Sequence, residues 1–299
     1  LRNKNVRIRV WYSIYMAKLK LEPTAALVMA WALPLYEKGL IAKFVRQLDL
    51  SSGDDLFCCC QAACNWYGEV IRNRKHFICN QIVEHLLADR SAQIILLAAG
   101  KSPLGLELLL QCPSQISAVF EVDVADMSAK EALYKRIAPD VAKRLKCVTA
   151  DILAESLQEE LHQAGCRNDI ITIVVLEGIS YYISEEALEC IISSFSLSKR
   201  MIVFLEYLLP CDFVEPSRRM IPRSIFSLIK ESTGQEEIKC YSDMDLLQIF
   251  SKAGGRVIAF HSMQEMEQNR TQRNEYFDGP ALGWIKCLEA EFKPKLQEG

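Results

Sequence analysis

Gly100 follows the apolar run "QIILLAA", and acids close the next three such runs: Glu121 and Asp123 in "SAVFEVD", Asp151 in "LKCVTAD", and Glu177, with Gly178 after it, in "DIITIVVLEG". An ionised carboxylate only accepts hydrogen bonds, so a row of them suits a ligand bearing hydroxyls, an amine and a positive charge. A glycine lets backbone approach that ligand, since no Cβ stands in the way. Asp123 follows Gly100 by 23 residues, close to the ~20 that separate a glycine turn from a ribose-binding acid. The turn itself reads "AAGKSP" and lacks the glycine-rich pattern that cradles a pyrophosphate.

These residues need a scaffold that brings strand ends together. From Gln93 onward, short apolar runs alternate with helical patterns such as "MSAKEALYKRI" and "EEALECIISSF", which implies a parallel sheet wound by right-handed crossovers. "RVIAFHS" and "GWIKCLEAEF" are expected to finish it as an antiparallel pair joined by a loop-like segment, giving a mostly parallel seven-stranded α/β sheet. In such sheets ligands sit outside the carboxyl ends of the strands. Residues 1–90 read as a helical cap, with helices expected over Phe57–Ile71 and Phe77–Ala88, and 91–299 as the α/β domain. The fifth strand is followed, over about 210–240, by an insertion that serves as a lid.

Composition excludes several classes. A net charge of -3 with no basic cluster argues against a nucleic-acid partner. "AALVMAWALPLY" is too short to span a membrane and is broken by Pro34. No signal peptide is expected. The densest of the 12 cysteines, Cys58, Cys59, Cys60 and Cys64, contain no CxxC pair. They read as small reduced hydrophobes, with no metal and a cytoplasmic location expected.

Ribose hydroxyls, an adenine amine and an ammonium or sulfonium together describe S-adenosylmethionine. "LAAGKSPLGLEL", "FEVDVADMSAKEAL", "VTADIL" and "VVLEGISYYISEEAL" resemble the motifs of the leucine carboxyl methyltransferase family. That family comprises class I (Rossmann-like) S-adenosylmethionine-dependent O-methyltransferases, with bacterial members in polyketide and other small-molecule pathways. The likeness runs over about Arg72 to Tyr207, and its most specific piece is "EGISYYISEE".

The resemblance implies that the backbone at Ala98 and Gly100 meets the methionine part of the cofactor. It implies that Asp123 holds the ribose with support from Glu121, that Asp151 and Ile152 border the adenine, and that Glu177 and Gly178 face the methionine amine. It also implies an arginine on the methionine carboxylate, for which Arg74 fits best and Arg72 is the alternative. The turn departs from the family's "LGAGxDT", with Ala98 in place of a glycine and Ser102-Pro103 in place of Asp-Thr.

Methyl transfer to a carboxylate needs a cation to orient it, and Arg218, Arg219 and Arg223 of the insertion are candidates. Transfer to a hydroxyl needs a base, for which His261 is the best placed of the four histidines. Tyr181 and Tyr182 are expected to border the acceptor channel, and Tyr182 to act in catalysis. "WYSIYM", Trp11 to Met16, is an aromatic lining candidate. The expected activity is methylation of a small or carrier-bound acid or alcohol, yielding S-adenosylhomocysteine. The alternatives are methylation of a protein C-terminal carboxylate and an inactive, ligand-binding methyltransferase fold. A nicotinamide oxidoreductase is the most distant reading, because the phosphate turn is missing.

Overall fold

A computed structural model describes residues 18–88, 91–195 and 199–293; Trp11 to Met16 lie outside them. Strand β1 (Leu19–Lys20) leads into α1 (Pro23–Ala32) and α2 (Gly39–Val45), and pairs in parallel with β2 (Leu48–Asp49). Pro23 starts α1 at the helix position where a missing N–H costs nothing. Two more helices follow, α3 (Asp54–Ala63) and the long α4 (Tyr67–Ala88).

Strands and helices then alternate through β3 (Ala92–Leu97), α5 (Leu104–Gln111), β4 (Ile116–Asp123), α6 (Ser128–Ile137), α7 (Pro139–Ala142) and β5 (Leu145–Thr149). The pattern continues with α8 (Leu157–Gln163), β6 (Ile171–Leu176), α9 (Glu185–Ser194) and β7 (Met201–Leu208). Last come α10 (Met220–Thr233), α11 (Asp243–Lys252), β8 (Arg256–Ser262), α12 (Met263–Thr271) and β9 (Ile285–Phe292).

The main sheet has seven strands in the order β5-β4-β3-β6-β7-β9-β8, parallel except where β9 pairs with β7 and with β8. Every residue of β3 and β7 is buried, as strands covered on both faces require. Each such Leu or Ile side chain stabilises the fold by roughly 2 kcal/mol. Register decides what reaches the site. Leu97 pairs with both Val122 and Leu176, and Leu176 pairs with Leu205. Ala98, Asp123, Glu177 and Glu206 therefore follow at one level on four adjacent strands.

Two local expectations are corrected. The segment between β8 and β9 holds a helix, α12, started by a reciprocal capping box between Ser262 and Glu265. The second correction concerns α4, which runs unbroken through Arg72–His76, the break falling earlier at Cys64–Trp66. That continuity matters, because it puts Arg74 and Lys75 on a rigid element. The insertion contains α10, whose Pro222, Ile225 and Phe226 are buried while Arg223 is exposed. None of the described helices is long and apolar enough to cross a membrane.

Candidate functional site

A cleft of about 1140 Å³, open mouth included, lies over the tips of β3 and β6 and reaches up between α1 and α10. Its floor is polar: Ala98 to Ser102, Glu177 and Gly178, with Arg74 and Lys75 from α4. Its roof is apolar, including Ala25, Val28 and Met29 of α1 and Phe226 and Ile229 of α10.

The turn after β3 is held from both sides. Gly100 N donates to Asp123 Oδ2 at 2.8 Å, and Gly100 O accepts from Lys130 Nζ at 2.9 Å. Ala98 has φ 51° and Gly100 φ 48°, so the alanine occupies a left-handed conformation that suits glycine. That costs an L-residue roughly 1–2 kcal/mol. The loop thus keeps its course despite the substitution. Ala98→Gly is expected to raise stability by about 0.5–1 kcal/mol, the strain relieved less the added freedom of the unfolded chain, read as a melting point a few degrees higher.

Glu121 sits beneath this turn rather than on the cleft wall. It is 0% exposed and takes Lys130 Nζ at 2.8 Å and the Tyr134 hydroxyl at 3.1 Å. It reaches the turn only through Lys130. Gly105, at the start of α5, makes room for it: a Cβ there would stand 2.5 Å from Glu121 Oε1.

Asp123 uses one lone pair of each oxygen, for Gly100 N and for Ala125 N at 2.9 Å. It lies beside the turn, just outside the cleft wall. Asp151 is exposed at the next strand tip and caps Leu153 N at 2.9 Å; Ile152 is half-buried beside it. Neither lines the cleft. Lys101, on the wall, reaches the Asp126 carbonyl at 2.9 Å. Burial first, and Lys130 second, lower the pKa of its ammonium.

At the tip of β6, Arg74 and Lys75 converge on Glu177 Oε1 at 3.0 and 2.9 Å, and Arg74 also holds Glu206 Oε1 at 2.7 Å. Burial alone would raise the Glu177 carboxyl, but Lys75 and Arg74 hold it below the usual range. Glu206 is pushed up by burial, against the pull of Arg74. It also accepts Gly178 N at 2.7 Å and the Tyr181 hydroxyl, tying the loop after β6 to the next strand. Arg72 lies about 200° around the helix from Arg74. It turns away, to Glu69 and to the Trp31 carbonyl at 3.0 Å.

The residues expected to serve the acceptor, His261, Arg218, Arg219 and Arg223, are not brought to the cleft either. His261 lies in a separate depression between α4 and α12, against Phe77 and 3.8 Å from Glu289. Burial opposes ionisation of Glu289, yet His261 and His85 hold its carboxyl at about 2. Arg218 stacks on Trp66, its guanidinium 5.2 Å from the ring centre. Arg219 bonds to Val214 O at 2.8 Å, and Arg223 is exposed on α10. Arg218 and Arg219 are taken by backbone and aromatic partners, Arg218 by Trp66 and the Tyr276 carbonyl from distant parts of the chain, which the sequence pattern does not reveal. Tyr181 and Tyr182 do line the cleft. Lys75, Lys130 and Glu206 were not foreseen. Glu206 sits inside "MIVFLEYL", where only strand register sets it level with Glu177.

The site suits an adenosyl amino acid. Arg74 is 4% exposed with its Nε unpartnered among the described residues, and Glu177 Oε2 accepts no hydrogen bond from them. Acceptors and cations thus stand together around Glu177, and Asp123 beside the turn keeps a free lone pair on each oxygen.

The sequence profile of the leucine carboxyl methyltransferase family matches residues 62–196. No curated protein sequence matches significantly. Among solved structures, a protein from Thermobifida fusca YX assigned as a methyltransferase is 13% identical over 91% of this chain and 96% of its own, with a TM-score of 0.61. A DUF574 family protein from Streptomyces avermitilis MA-4680 is 14% identical over 81% and 91%, with a TM-score of 0.59. The CurJ carbon methyltransferase is 14% identical over 90% and 69%, with a TM-score of 0.50. At these identities the structures speak to fold alone. Through the sequence match over residues 62–196 and the geometry it falls on, the chain is similar to the leucine carboxyl methyltransferase family and is an S-adenosylmethionine-dependent methyltransferase of the class I fold.

Proposed function

We propose that the enzyme methylates a carboxylate oxygen of a small, mainly apolar acceptor, free or carrier-bound, that enters between α1 and α10. The observation that carries this reading is the division of the cleft into a charged floor and an apolar roof. When bound, S-adenosylmethionine supplies an activated methyl on a positively charged sulfur, which also draws in an anionic acceptor. The protein must then align the acceptor and exclude water. Val28, Met29, Phe226 and Ile229 present a dry surface for an apolar body.

An alcohol would need a base within reach. Among the described residues on the cleft wall there is no histidine, and the one carboxylate, Glu177, is ion-paired. Burial raises the pKa of Tyr182, which leaves its phenol a hydrogen-bond donor suited to a carboxylate oxygen rather than a base. None of the insertion's arginines lines the cleft, so the cation that a carboxylate acceptor needs, on a small molecule or a protein C-terminus, falls to Lys101 on the wall; the enclosed apolar roof favours the small acceptor. The adenosyl-side residues retained from the sequence reading are Ala98, Gly100, Asp123, Asp151 and Ile152, with Glu177, Gly178 and Arg74 toward the amino-acid end.

The test uses calorimetric titration with S-adenosylhomocysteine, then labelled methyl transfer to matched alkyl and aryl acids, their alcohols, and a peptide with a free C-terminus. Ester formation on the acids is expected. Transfer only to alcohols would overturn the carboxylate assignment, and transfer only to the peptide would overturn the small-acceptor assignment.

A further inference from the structure

Trp31, on α1, lines the cleft and is 3% exposed, yet its buried indole Nε1 bonds to none of the described residues. An indole N–H can only donate, and a buried donor without an acceptor is a cost that few native folds carry. The ring is held in one place. Arg72 Nη1 donates to the Trp31 carbonyl at 3.0 Å. The indole lies against Tyr67, ring centres 5.0 Å apart, and against Phe57 at 6.1 Å. Gly68 admits it, since a Cβ on that residue would stand 3.1 Å from Trp31 Cδ1, the carbon next to Nε1. The orphan donor is therefore fixed before anything binds.

Tyr67 supplies a second donor. It opens α4, lines the same cleft and is buried. Its hydroxyl accepts Trp284 Nε1 at 3.4 Å and gives its own proton to none of the described residues. Burial holds the phenol well above its usual pKa, so the proton stays on the oxygen.

Two neutral donors thus stand side by side on the wall, among apolar lining residues that include Leu27, Val28 and Ile71. An uncharged oxygen suits them. A carboxylate set against these donors alone would be buried with its charge uncompensated, whereas a ketone oxygen has lone pairs to offer and no charge. We propose that the acceptor carries a carbonyl on its apolar body, apart from the carboxylate that takes the methyl, and that Trp31 Nε1 binds this oxygen with the Tyr67 hydroxyl as the second donor. The substrate class is then an oxo acid, an assignment that rests on the carboxylate reading above. A plain alkyl acid of the same length leaves both donors unmet, which is how a site of this kind discriminates.

The test is calorimetric titration of the S-adenosylhomocysteine complexes of wild type, Trp31→Phe and Tyr67→Phe with octanoate and with oxooctanoates whose ketone is moved along the chain. At least one oxooctanoate is expected to bind wild type about 10-fold tighter than octanoate, and Trp31→Phe to abolish that preference while holding octanoate within about threefold. Tyr67→Phe is expected to reduce the preference, and it reads the same subsite should Trp31→Phe fail to fold. A role in packing alone would weaken all the acids alike. Equal binding of octanoate and every oxooctanoate by wild type, or a preference undiminished in the folded variants, would overturn the assignment. Binding of no acid by wild type would overturn the carboxylate reading itself, a result distinct from the other two.

Discussion

Arg74→Met is expected to cost about 3–5 kcal/mol of stability, the range for removing one partner of a buried ion pair, and to lower the melting temperature by roughly 10 °C. The guanidinium is the one cation within 4 Å of Glu206 among the described residues, and Glu177, a second carboxylate, stands on the adjacent strand. Without Arg74, burial and like-charge repulsion both push Glu206 to take up a proton. An acid whose folded pKa lies above its unfolded value, about 4.3, destabilises the fold increasingly as pH rises through that interval. The penalty of the variant should therefore be smaller at pH 5 than at pH 8, as read by urea unfolding at the two pH values. Adding Glu206→Gln removes the stranded charge, so the double variant should recover much of the loss. Equal stability of Arg74→Met and wild type at pH 8 would mean that the pair does not hold the floor together.

The architecture was legible because two periodicities changed at one point in the chain. Apolar runs such as "QIILLAA" and "IVVL" begin near Gln93, and the acids that end them mark the sheet's carboxyl edge. The α12 helix was also written in the sequence, as Ser262 three residues before Glu265, but its polar surface lacks the apolar stripe that usually betrays a helix. Other features were hidden in principle. Arg72 and Arg74 are the same residue type two positions apart, and only the rotation of α4 sends one to Trp31 and the other to the cleft. Glu206 is an acid in the middle of a wholly buried strand, a placement that sequence alone reads as unfavourable; its partner, Arg74, is 132 residues away. Lys130 is hidden in the same way, its carboxylate lying on the far side of the turn that it supports. Neither pair has a local signature, because a strand acid and a cation on another element meet only through the fold.

Asp123, proposed to hold the ribose, offers a second large effect. Asp123 has about four lone-pair sites, and backbone N–H groups of Gly100 and Ala125 occupy one on each oxygen. The remaining two suit the vicinal hydroxyls of a ribose, while the same side chain fixes the turn on which the methionine part would lie. Asp123→Ala removes both functions together. Hydrogen bonds to a charged group are worth about 1.5–3 kcal/mol each, so S-adenosylhomocysteine should bind on the order of 100-fold more weakly, and 5′-methylthioadenosine should weaken to a similar extent. Asp123→Asn keeps the shape but turns one acceptor into a donor, which would face either Ala125 N or Gly100 N; its loss should be nearly as large. 5′-Methylthioadenosine keeps the adenosyl thioether and lacks the amino acid head, so the two probes separate the two ends of the site. A ribose residue must weaken both probes, and a head-group residue only one. If Asp123→Ala were to bind 5′-methylthioadenosine within about threefold of wild type, the adenosyl group would not lie against β4, and the shared level of the strand tips would need another explanation.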